Sequence, residues 1–461
     1  MTAPSRPALW RRLAAGLSAP VGASAEAARA HERHRRIVLS ALASAVGRAI
    51  SIAAALISVP LTLHYLGAER YGMWMIMSSF VAILGFADLG VGNGVLTMVA
   101  RLNGKDSFDG IRTVVSSAVA ILVILAGVLA GAFVLAYPRI DWFRLFNVST
   151  DLARSEAGPA VAVFAACFLA AFPLSIVQKV QTGLQQGFTV SLWQSGGNLL
   201  GLAAVLAVVR LEGGLPWLVA ALFGIPQVAV AGNAVWFFLF RRPDLRPSLR
   251  RVQGAVMAGV LSTGFLFLVL QSVVAVTYSS DSLIIAHLLG PAAVADFAVP
   301  EKLFAALSAV LGMITAPLWP AFGEAIARGD RAWASRMLRR SILANVCIAL
   351  TGSLVLVVTG PWIIEAWVGR AVAPSLLLLV GFAVWKVCEA AGAPIAMLLN
   401  GAHRVGPQIV FASTTAVVAI LLKVALIGQF GVSGAIWATS AAFLVFALLP
   451  LGLVASRVLR D

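Results

Sequence analysis

The chain has 461 residues, of which 60% are hydrophobic and only 11% are charged. Ordinary soluble domains carry roughly 25% charged residues, so this composition excludes a water-soluble globular fold. The formal net charge of +15 would fit nucleic-acid binding, but the placement of the basic residues decides against that class.

Apolar segments of about twenty residues recur along the whole chain, and each can cross the ~30 Å hydrocarbon core as a helix. The alternating ten-residue segments of a transmembrane barrel are not found. We therefore predict an all-α integral membrane protein with about twelve transmembrane helices. In chain order the predicted spans are Ile37–Leu63, Met73–Ala100, Thr113–Ala136, Pro159–Gln181, Phe188–Val209, Pro216–Phe240, Ala255–Leu289, Ala292–Phe322, Ser341–Trp362, Pro374–Asn400, Pro407–Gln429 and Val432–Ser456. The span Ala292–Phe322 is too long for a simple crossing and is predicted to bend at Pro300, Pro317 or Pro320.

The basic residues lie on alternate connections between the predicted spans. Of the 34 lysines and arginines, 24 lie in the two tails and the even-numbered connections, and only 6 lie in the odd-numbered connections. This is the positive-inside pattern, which predicts that both termini are cytoplasmic in a multi-pass protein. The basic connections are thus topology signals that attract anionic membrane lipids, and no nucleic-acid partner is expected.

A basic segment near the midpoint divides the chain into two halves. We predict a cytoplasmic basic tail (1–36), an N-terminal six-helix bundle (37–240), a basic linker (241–254), a C-terminal six-helix bundle (255–456) and a cytoplasmic C-terminus (457–461). Three landmarks recur at similar offsets: Leu66-Gly67 with Leu289-Gly290, Gly104 with Gly329, and Thr182-Gly183 with Asn400-Gly401. Six helices per half predict a parallel, pseudo-symmetric repeat around a central cavity, and the alternative is a static bundle with coincidental glycines.

Charged residues inside the predicted spans are the candidate site residues, because a charge at the bilayer centre costs about 3 kcal/mol or more. Arg48 lies near the midplane of the first span and is predicted either to face a cavity and an anionic ligand or to pair with Asp88. Lys302 and Lys386 are predicted to add positive charge to the same cavity. Lys386 also has a local alternative, because Glu389 lies three residues later and could neutralise its charge.

A second set of charged residues predicts either ion coupling or structural pairing. Lys423 is expected to extend to the membrane surface. Asp281, Glu389 and Asp88 are predicted carriers of a coupling ion, and the alternative is that they pair with cations or cap helices. No catalytic motif such as HExxH, GxSxG or a phosphate-binding loop is present, so we predict no enzyme activity, no cofactor and no metal site.

Several motifs give the sequence a family resemblance. The segment Tyr65–Trp74 (YLGAERYGMW) resembles the turn after the first helix of bacterial polysaccharide and O-antigen flippases, the oligosaccharide branch of the superfamily that includes the multidrug extruders. Phe86–Asn93 (FADLGVGN) is similar to that family's second helix. The stretch from Asp281 to Leu303 resembles its seventh-to-eighth passage. Pro317–Phe322 (PLWPAF) together with Ala327–Asp330 (ARGD) is similar to the end of its helix eight.

The resemblance implies a V-shaped pair of six-helix bundles that flips an undecaprenyl-diphosphate-linked oligosaccharide across the bacterial inner membrane by alternating access. Its partners would be the anionic lipid-linked oligosaccharide, a coupling ion (H⁺ or Na⁺), and a polysaccharide polymerase with glycosyltransferases. It further implies that Arg48 and Lys302 hold the pyrophosphate. The family commonly has Tyr where Phe297 stands, so a hydroxyl contact there is lost. Two alternatives stay open: an ion-coupled multidrug antiporter of the same fold, and a non-transporting scaffold for polysaccharide assembly.

Overall fold

The computed structural model describes residues 31–50, 88–146, 150–368 and 374–460, with a few single positions between 62 and 77. No strand occurs among these residues. Ten helices in the described part of the chain are long and apolar enough to cross a membrane. The predicted all-α membrane protein is therefore confirmed. The predicted spans Ile37–Leu63 and Met73–Ala100 lie only partly within the described residues.

The helices are numbered here in chain order. They are α1 (31–50), α2 (Val91–Gly104), α3 (Phe108–Ala136), α4 (Asp151–Gly183), α5 (Gly187–Arg210), α6 (Leu215–Arg241), α7 (Gly254–Leu289), α8 (Pro291–Thr315), α9 (Leu318–Ala327), α10 (Arg331–Val368), α11 (Leu376–Gly401), α12 (Val405–Phe430) and α13 (Ser433–Arg460). Some begin earlier than their apolar segments predict. The largest difference is in α10, which begins at Arg331 and not at Ser341, because its first turns bury Trp333 and Leu338 while keeping polar residues at the surface.

Proline and glycine interrupt the long helices at related places in the two halves. The bend predicted within Ala292–Phe322 occurs at Pro317, where α8 ends and α9 begins. A turn at residues 88–90 precedes α2 in the same way. In α6 a π-helical turn, Ala220–Gly224, comes just before Pro226, and in α13 a second one, Leu444–Leu448, comes just before Pro450. Because proline lacks the N–H group, each ring removes one helical hydrogen bond and the local winding changes.

The two halves meet through α2. Gly90, which directly precedes α2, has φ +73°, and a Cβ there would lie 2.1 Å from the Gly264 carbonyl oxygen of α7. A Cβ on Gly94 would lie 2.8 Å from the Val260 carbonyl oxygen. Glycine at both positions allows the backbones of the two halves to cross closely. From this crossing, α2 runs along α9 toward the end of the bundle where the basic residues Lys105, Arg242, Arg328, Arg404 and Arg460 lie, here called the basic end.

Charged side chains connect the two halves at the basic end. Both terminal nitrogens of Arg328 lie 2.7 Å from the two carboxylate oxygens of Asp106, and its Nε donates to Glu324 at 3.0 Å. Gln185 of the first half donates to the Glu324 carboxylate. Asp106 raises the pKa of the Arg328 guanidinium above its ordinary value. The bundle is thus closed at this end by a polar network that joins the halves.

The start of α1 also lies against the second half. Arg33 is buried, pairs with Asp330, and places its guanidinium 4.4 Å from the centre of the Trp333 ring. Ile37 packs in a core with Phe322 of α9 and its neighbours. The chain therefore enters the membrane on the second half before α1 continues along the first.

Candidate functional site

A cavity of about 700 Å³ lies between the two halves. Four helices of the first half, α1, α4, α5 and α6, form most of its wall, and α8 of the second half completes it. The lining residues are Ser44, Gly47, Arg48, Ala171, Ser175, Gln178, Ser191, Gln194, Ser195, Asn198, Pro226, Gln227, Val230, Ala309, Gly312, Met313 and Ala316. A site built from both halves is positioned to change shape when the halves move relative to one another.

Arg48 supplies the positive charge of this cavity. It lies on α1 one turn after Ser44, its side chain is exposed, and it forms no ion pair with any described residue. The alternative pairing with Asp88 is not seen. The carboxylate of Asp88 instead accepts hydrogen bonds from the backbone N–H groups of Gly90 (2.9 Å) and Gly92 (3.1 Å), and so caps the start of α2.

Uncharged polar side chains cover one face of α5 inside the cavity. Ser191, Gln194, Ser195 and Asn198 follow one another at helical spacing, so they point the same way. Ser191 Oγ lies 3.3 Å from Ser44 Oγ, and Gln194 Nε2 donates to Gln178 Oε1 at 3.4 Å. Sequence reasoning based on charge missed these residues. Their i, i+3, i+4, i+7 spacing within an apolar span is the signal that would have found them.

The chemistry of the wall favours a particular class of ligand. Among the described lining residues there is one cation and no carboxylate, and the remaining polar groups are hydroxyls and amides. Hydroxyls and amides both donate and accept hydrogen bonds, as sugar hydroxyls do. An arginine binds phosphate oxygens through two parallel N–H groups. The described part of the cavity wall therefore suits an anionic, hydroxyl-rich molecule and offers no counter-charge to a cationic drug.

A narrower space continues the cavity toward the basic end. It has a volume of about 180 Å³ and shares Ser44, Ser191, Gln194 and Ala316 with the main cavity. Arg36 and Gln185 are among its remaining lining residues. Because Gln185 is also hydrogen-bonded to Glu324, this extension reaches the polar network that joins the halves.

The structure does not bring Lys302 and Lys386 to the Arg48 cavity. Lys302 is exposed on α8, and it is not among the lining residues. Lys386 is buried in the second half, where Nζ lies 2.8 Å from the Glu389 carboxylate and 2.5 Å from Ser308 Oγ. The i, i+3 pairing with Glu389 that the sequence allowed is thus formed, and it neutralises Lys386 locally.

The carboxylates predicted to couple an ion lie in the second half. Asp281 is buried, and the ammonium of Lys423 lies 2.7 Å from its Oδ1. Lys423 also donates to the Thr277 carbonyl at 3.0 Å. The expectation that Lys423 extends to the membrane surface is therefore wrong, because its side chain is fully buried on this partner. Glu389 is partly exposed and lines a second, mostly apolar cavity of about 250 Å³ among α7, α11, α12 and α13.

Comparison with known proteins adds to this geometry. Residues 37–326 match the model of a family described as polysaccharide biosynthesis proteins. The chain belongs to this family. A Salmonella typhi protein named for O-antigen transport is 23% identical over 315 residues, which cover 68% of this chain and 69% of the relative. The family is one of transporters, so the prediction that the chain is not an enzyme is confirmed, as is the predicted membership of the polysaccharide branch.

Solved structures of related transporters share the fold. An outward-facing multidrug transporter of the MATE family in the MOP superfamily superposes with a TM-score of 0.75 at 15% identity, covering 93% of this chain and 97% of its own. A MOP transporter from Pyrococcus furiosus, whose binding pocket is described as having reversed polarity, gives 0.77 at 15% identity with the same coverage. A MATE transporter from Vibrio cholerae gives 0.76 at 11% identity, covering 94% and 97%. These likenesses establish the MATE-like fold of this family member.

Proposed function

We propose that this protein moves an undecaprenyl-diphosphate-linked oligosaccharide, an O-antigen or exopolysaccharide repeat unit, from the inner to the outer leaflet of a bacterial inner membrane. The observation that carries the proposal is the chemistry of the Arg48 cavity. Arg48, the one cation among its described lining residues, suits the pyrophosphate, and its serines, glutamines and asparagine suit the sugar hydroxyls. The Salmonella typhi relative named for O-antigen transport points to the same class of cargo.

Alternating access between two six-helix halves is the proposed mechanism. The π-turns before Pro226 and Pro450, and the turns that precede α2 and α9, recur at nearly one offset and support a parallel repeat. In the structure the halves are closed at the basic end. The positive-inside rule makes this the cytoplasmic end and places both termini there. Release of the Arg328 network would open the cavity to the cytoplasmic leaflet, where the cargo is loaded.

Ion coupling completes the proposal and belongs to the second half. Glu389 is the better placed carboxylate, because it is partly exposed to a cavity while Asp281 is buried on Lys423. Binding of H⁺ or Na⁺ at Glu389 would weaken its pairing with Lys386 and Ser308, which links α8 to α11. In this proposal the first half holds the cargo, and the second half responds to the H⁺ or Na⁺ gradient across the membrane. Asp88 is assigned to capping α2 and not to the coupling ion.

Substitution of Arg48 tests the proposal. Loss of a charge-assisted hydrogen bond to the pyrophosphate costs about 1.5–3 kcal/mol, so Arg48→Gln is expected to weaken cargo binding by roughly tenfold or more. Arg48→Lys keeps the charge but loses the two-pronged geometry, and its effect should be smaller. Glycan export is measured in cells that depend on the protein, with its membrane level followed in parallel. Full export by a normally inserted Arg48→Gln protein would overturn the assignment.

Lys302→Gln is the matched comparison, because it removes one cation from the same membrane region. If Lys302 joins the cargo site in another conformation, as the resemblance implies, its loss also lowers export. Unchanged export by Lys302→Gln beside a defective Arg48→Gln assigns the pyrophosphate to Arg48 alone. A multidrug antiporter would instead lose resistance to cationic compounds on loss of its gene. A scaffold would tolerate both substitutions.

A further inference from the structure

A second polar pocket lies at the basic end, separate from the Arg48 cavity. It has a volume of about 250 Å³, and it shares no residue with that cavity. Its walls come from three helix ends: Arg101 and Lys105 of α2, Gly323 and Ala327 of α9, and the turn of Gly401 and His403 after α11. We call this the basic-end pocket. Because α2 belongs to the first half and the other two elements to the second, the pocket exists only where the halves meet.

The charge of this pocket is uncompensated. The side chains of Arg101 and Lys105 form no ion pair among the described residues, and no carboxylate belongs to the described lining. The nearby carboxylates of Asp106 and Glu324 are both engaged by Arg328. Two cations converge in a concave site at the membrane surface, which is the arrangement by which membrane proteins hold anionic headgroups.

The ordinary explanation for basic residues at a helix end is that they neutralise the last carbonyl groups. Here most carbonyls in the last turn of α2 already have backbone partners. The Arg101 and Leu102 carbonyls accept from the N–H of Lys105 at 3.2 and 3.1 Å, and the Asn103 carbonyl accepts from the N–H of Asp106 at 3.1 Å. The cationic head groups of Arg101 and Lys105 are not among the described donors to these carbonyls, so they are available to another partner.

His403 supplies a third polar group. It lines the pocket at a left-handed backbone angle, φ 58°, and its Nε2 is buried without a hydrogen-bond partner among the described residues. Burial and the neighbouring Arg101 lower the pKa of the imidazole below its ordinary value, so it is neutral at pH 7 and carries one donor and one acceptor. A buried nitrogen without a partner costs about 1–3 kcal/mol, and a ligand oxygen that reached Nε2 would recover this cost.

We propose that the basic-end pocket binds a phosphate group, with Arg101 and Lys105 as charge partners and His403 as a hydrogen-bond partner. The group comes either from the headgroup of an anionic phospholipid or from free phosphate or pyrophosphate. Because both halves form the walls, the bound group stabilises the state in which they touch at the basic end. This site goes beyond the proposed cargo cavity and does not depend on the identity of the cargo.

Thermal unfolding of the purified full-length protein tests the proposal, because a ligand that binds the folded state raises the midpoint. The probes are phosphatidylglycerol and phosphatidylcholine in mixed micelles, and inorganic phosphate and pyrophosphate in solution. The test variant is Arg101→Gln/Lys105→Gln. The matched control, Arg336→Gln/Arg339→Gln, removes two exposed cations from the same end of the molecule, outside the pocket. Each lost contact is expected to weaken binding about tenfold.

Stabilisation by phosphatidylglycerol alone, lost in the test variant and kept in the control, identifies a lipid headgroup. Stabilisation by pyrophosphate with the same pattern identifies a free phosphate compound. An equal loss of ligand stabilisation in both variants would mean unspecific attraction between charges, and it would overturn the site. The site would also be overturned if no ligand raised the unfolding midpoint of the unsubstituted protein. If the double variant does not fold, His403→Ala keeps both charges and should still weaken binding measurably.

Discussion

The contact between Arg328 and Asp106 gives the sharpest prediction about how the halves move. Asp106→Asn keeps the shape of the side chain and removes the charge that faces Arg328 at 2.7 Å from both terminal nitrogens. The Glu324 contact of Arg328, which does not cross the halves, stays intact. The substitution therefore acts on the connection between the halves and not on the fold of either.

The size of the effect follows from geometry and exposure. The pair is bidentate, which strengthens it, but the Asp106 side chain is 63% exposed, so solvent screens it. We therefore assign the Arg328–Asp106 pair a stabilising free energy of about 1 kcal/mol. Its loss corresponds to a roughly fivefold shift in the ratio of states closed and open at the basic end. Because the Arg328–Asp106 contact connects the halves, the shift should favour the open state.

Pulsed electron–electron spin resonance between labels at Ser107 and Ala332 measures this ratio across the two halves. The native cysteines are replaced first. The expected result is a larger long-distance fraction in Asp106→Asn and no change in Arg331→Gln, which removes a neighbouring cation. Combining Arg328→Gln with Asp106→Asn should add only the loss of the Arg328 bond to the Asn103 carbonyl, which also crosses the halves at 3.2 Å. An unchanged distance distribution in Asp106→Asn, or an equal change in Arg331→Gln, would mean that the Arg328–Asp106 contact does not hold the halves together.

The remaining predictions concern the core. Lys423→Met leaves the buried carboxylate of Asp281 without its cation and should destabilise the protein by about 3–5 kcal/mol, measured by thermal unfolding. Adding Asp281→Asn should restore most of the lost stability. Unchanged stability of the Lys423→Met protein would contradict the pairing. Gly90→Ala places a Cβ 2.1 Å from the Gly264 oxygen at a left-handed φ, so the crossing of the halves must shift and a loss of roughly 1–3 kcal/mol is expected. Gly127→Ala on α3, where a Cβ meets nothing within 4 Å, is its control and should be neutral or slightly stabilising.

The helices were largely predictable because membrane spans follow from the length of apolar segments alone. The ends of the helices were not predictable. Turns such as Arg331–Ser341 of α10 alternate buried and charged residues, so their mean hydropathy is too low to mark them as part of a membrane span. The bend at Pro317 was among the predicted positions, since proline cannot donate the helical hydrogen bond. Which of the three prolines breaks the helix depends on packing between α8, α9 and their neighbours.

The candidate site was predictable only where charge marked it. Arg48 was recognisable because a permanent cation inside a membrane is costly unless it faces water, an acidic partner or a ligand. The serines, the glutamine and the asparagine of α5 cost little in a helix bundle and gave no comparable signal. Lys386 does not join Arg48 because a partner near in sequence, Glu389, already neutralises it. Lys302 lies exposed on α8, outside the described lining of the cavity. Lys423 found its partner Asp281 on another helix, α7, which sequence spacing does not reveal.

The most direct test of the proposed transport is mass spectrometry of membrane lipid extracts from cells with and without the protein. A transporter of lipid-linked saccharide leaves its cargo stranded when it is removed. We expect accumulation of an undecaprenyl-diphosphate-linked saccharide, reversed by the unsubstituted protein and not by Arg48→Gln. An unchanged set of lipid-linked saccharides, together with increased retention of cationic dyes, would contradict it and would favour a multidrug antiporter.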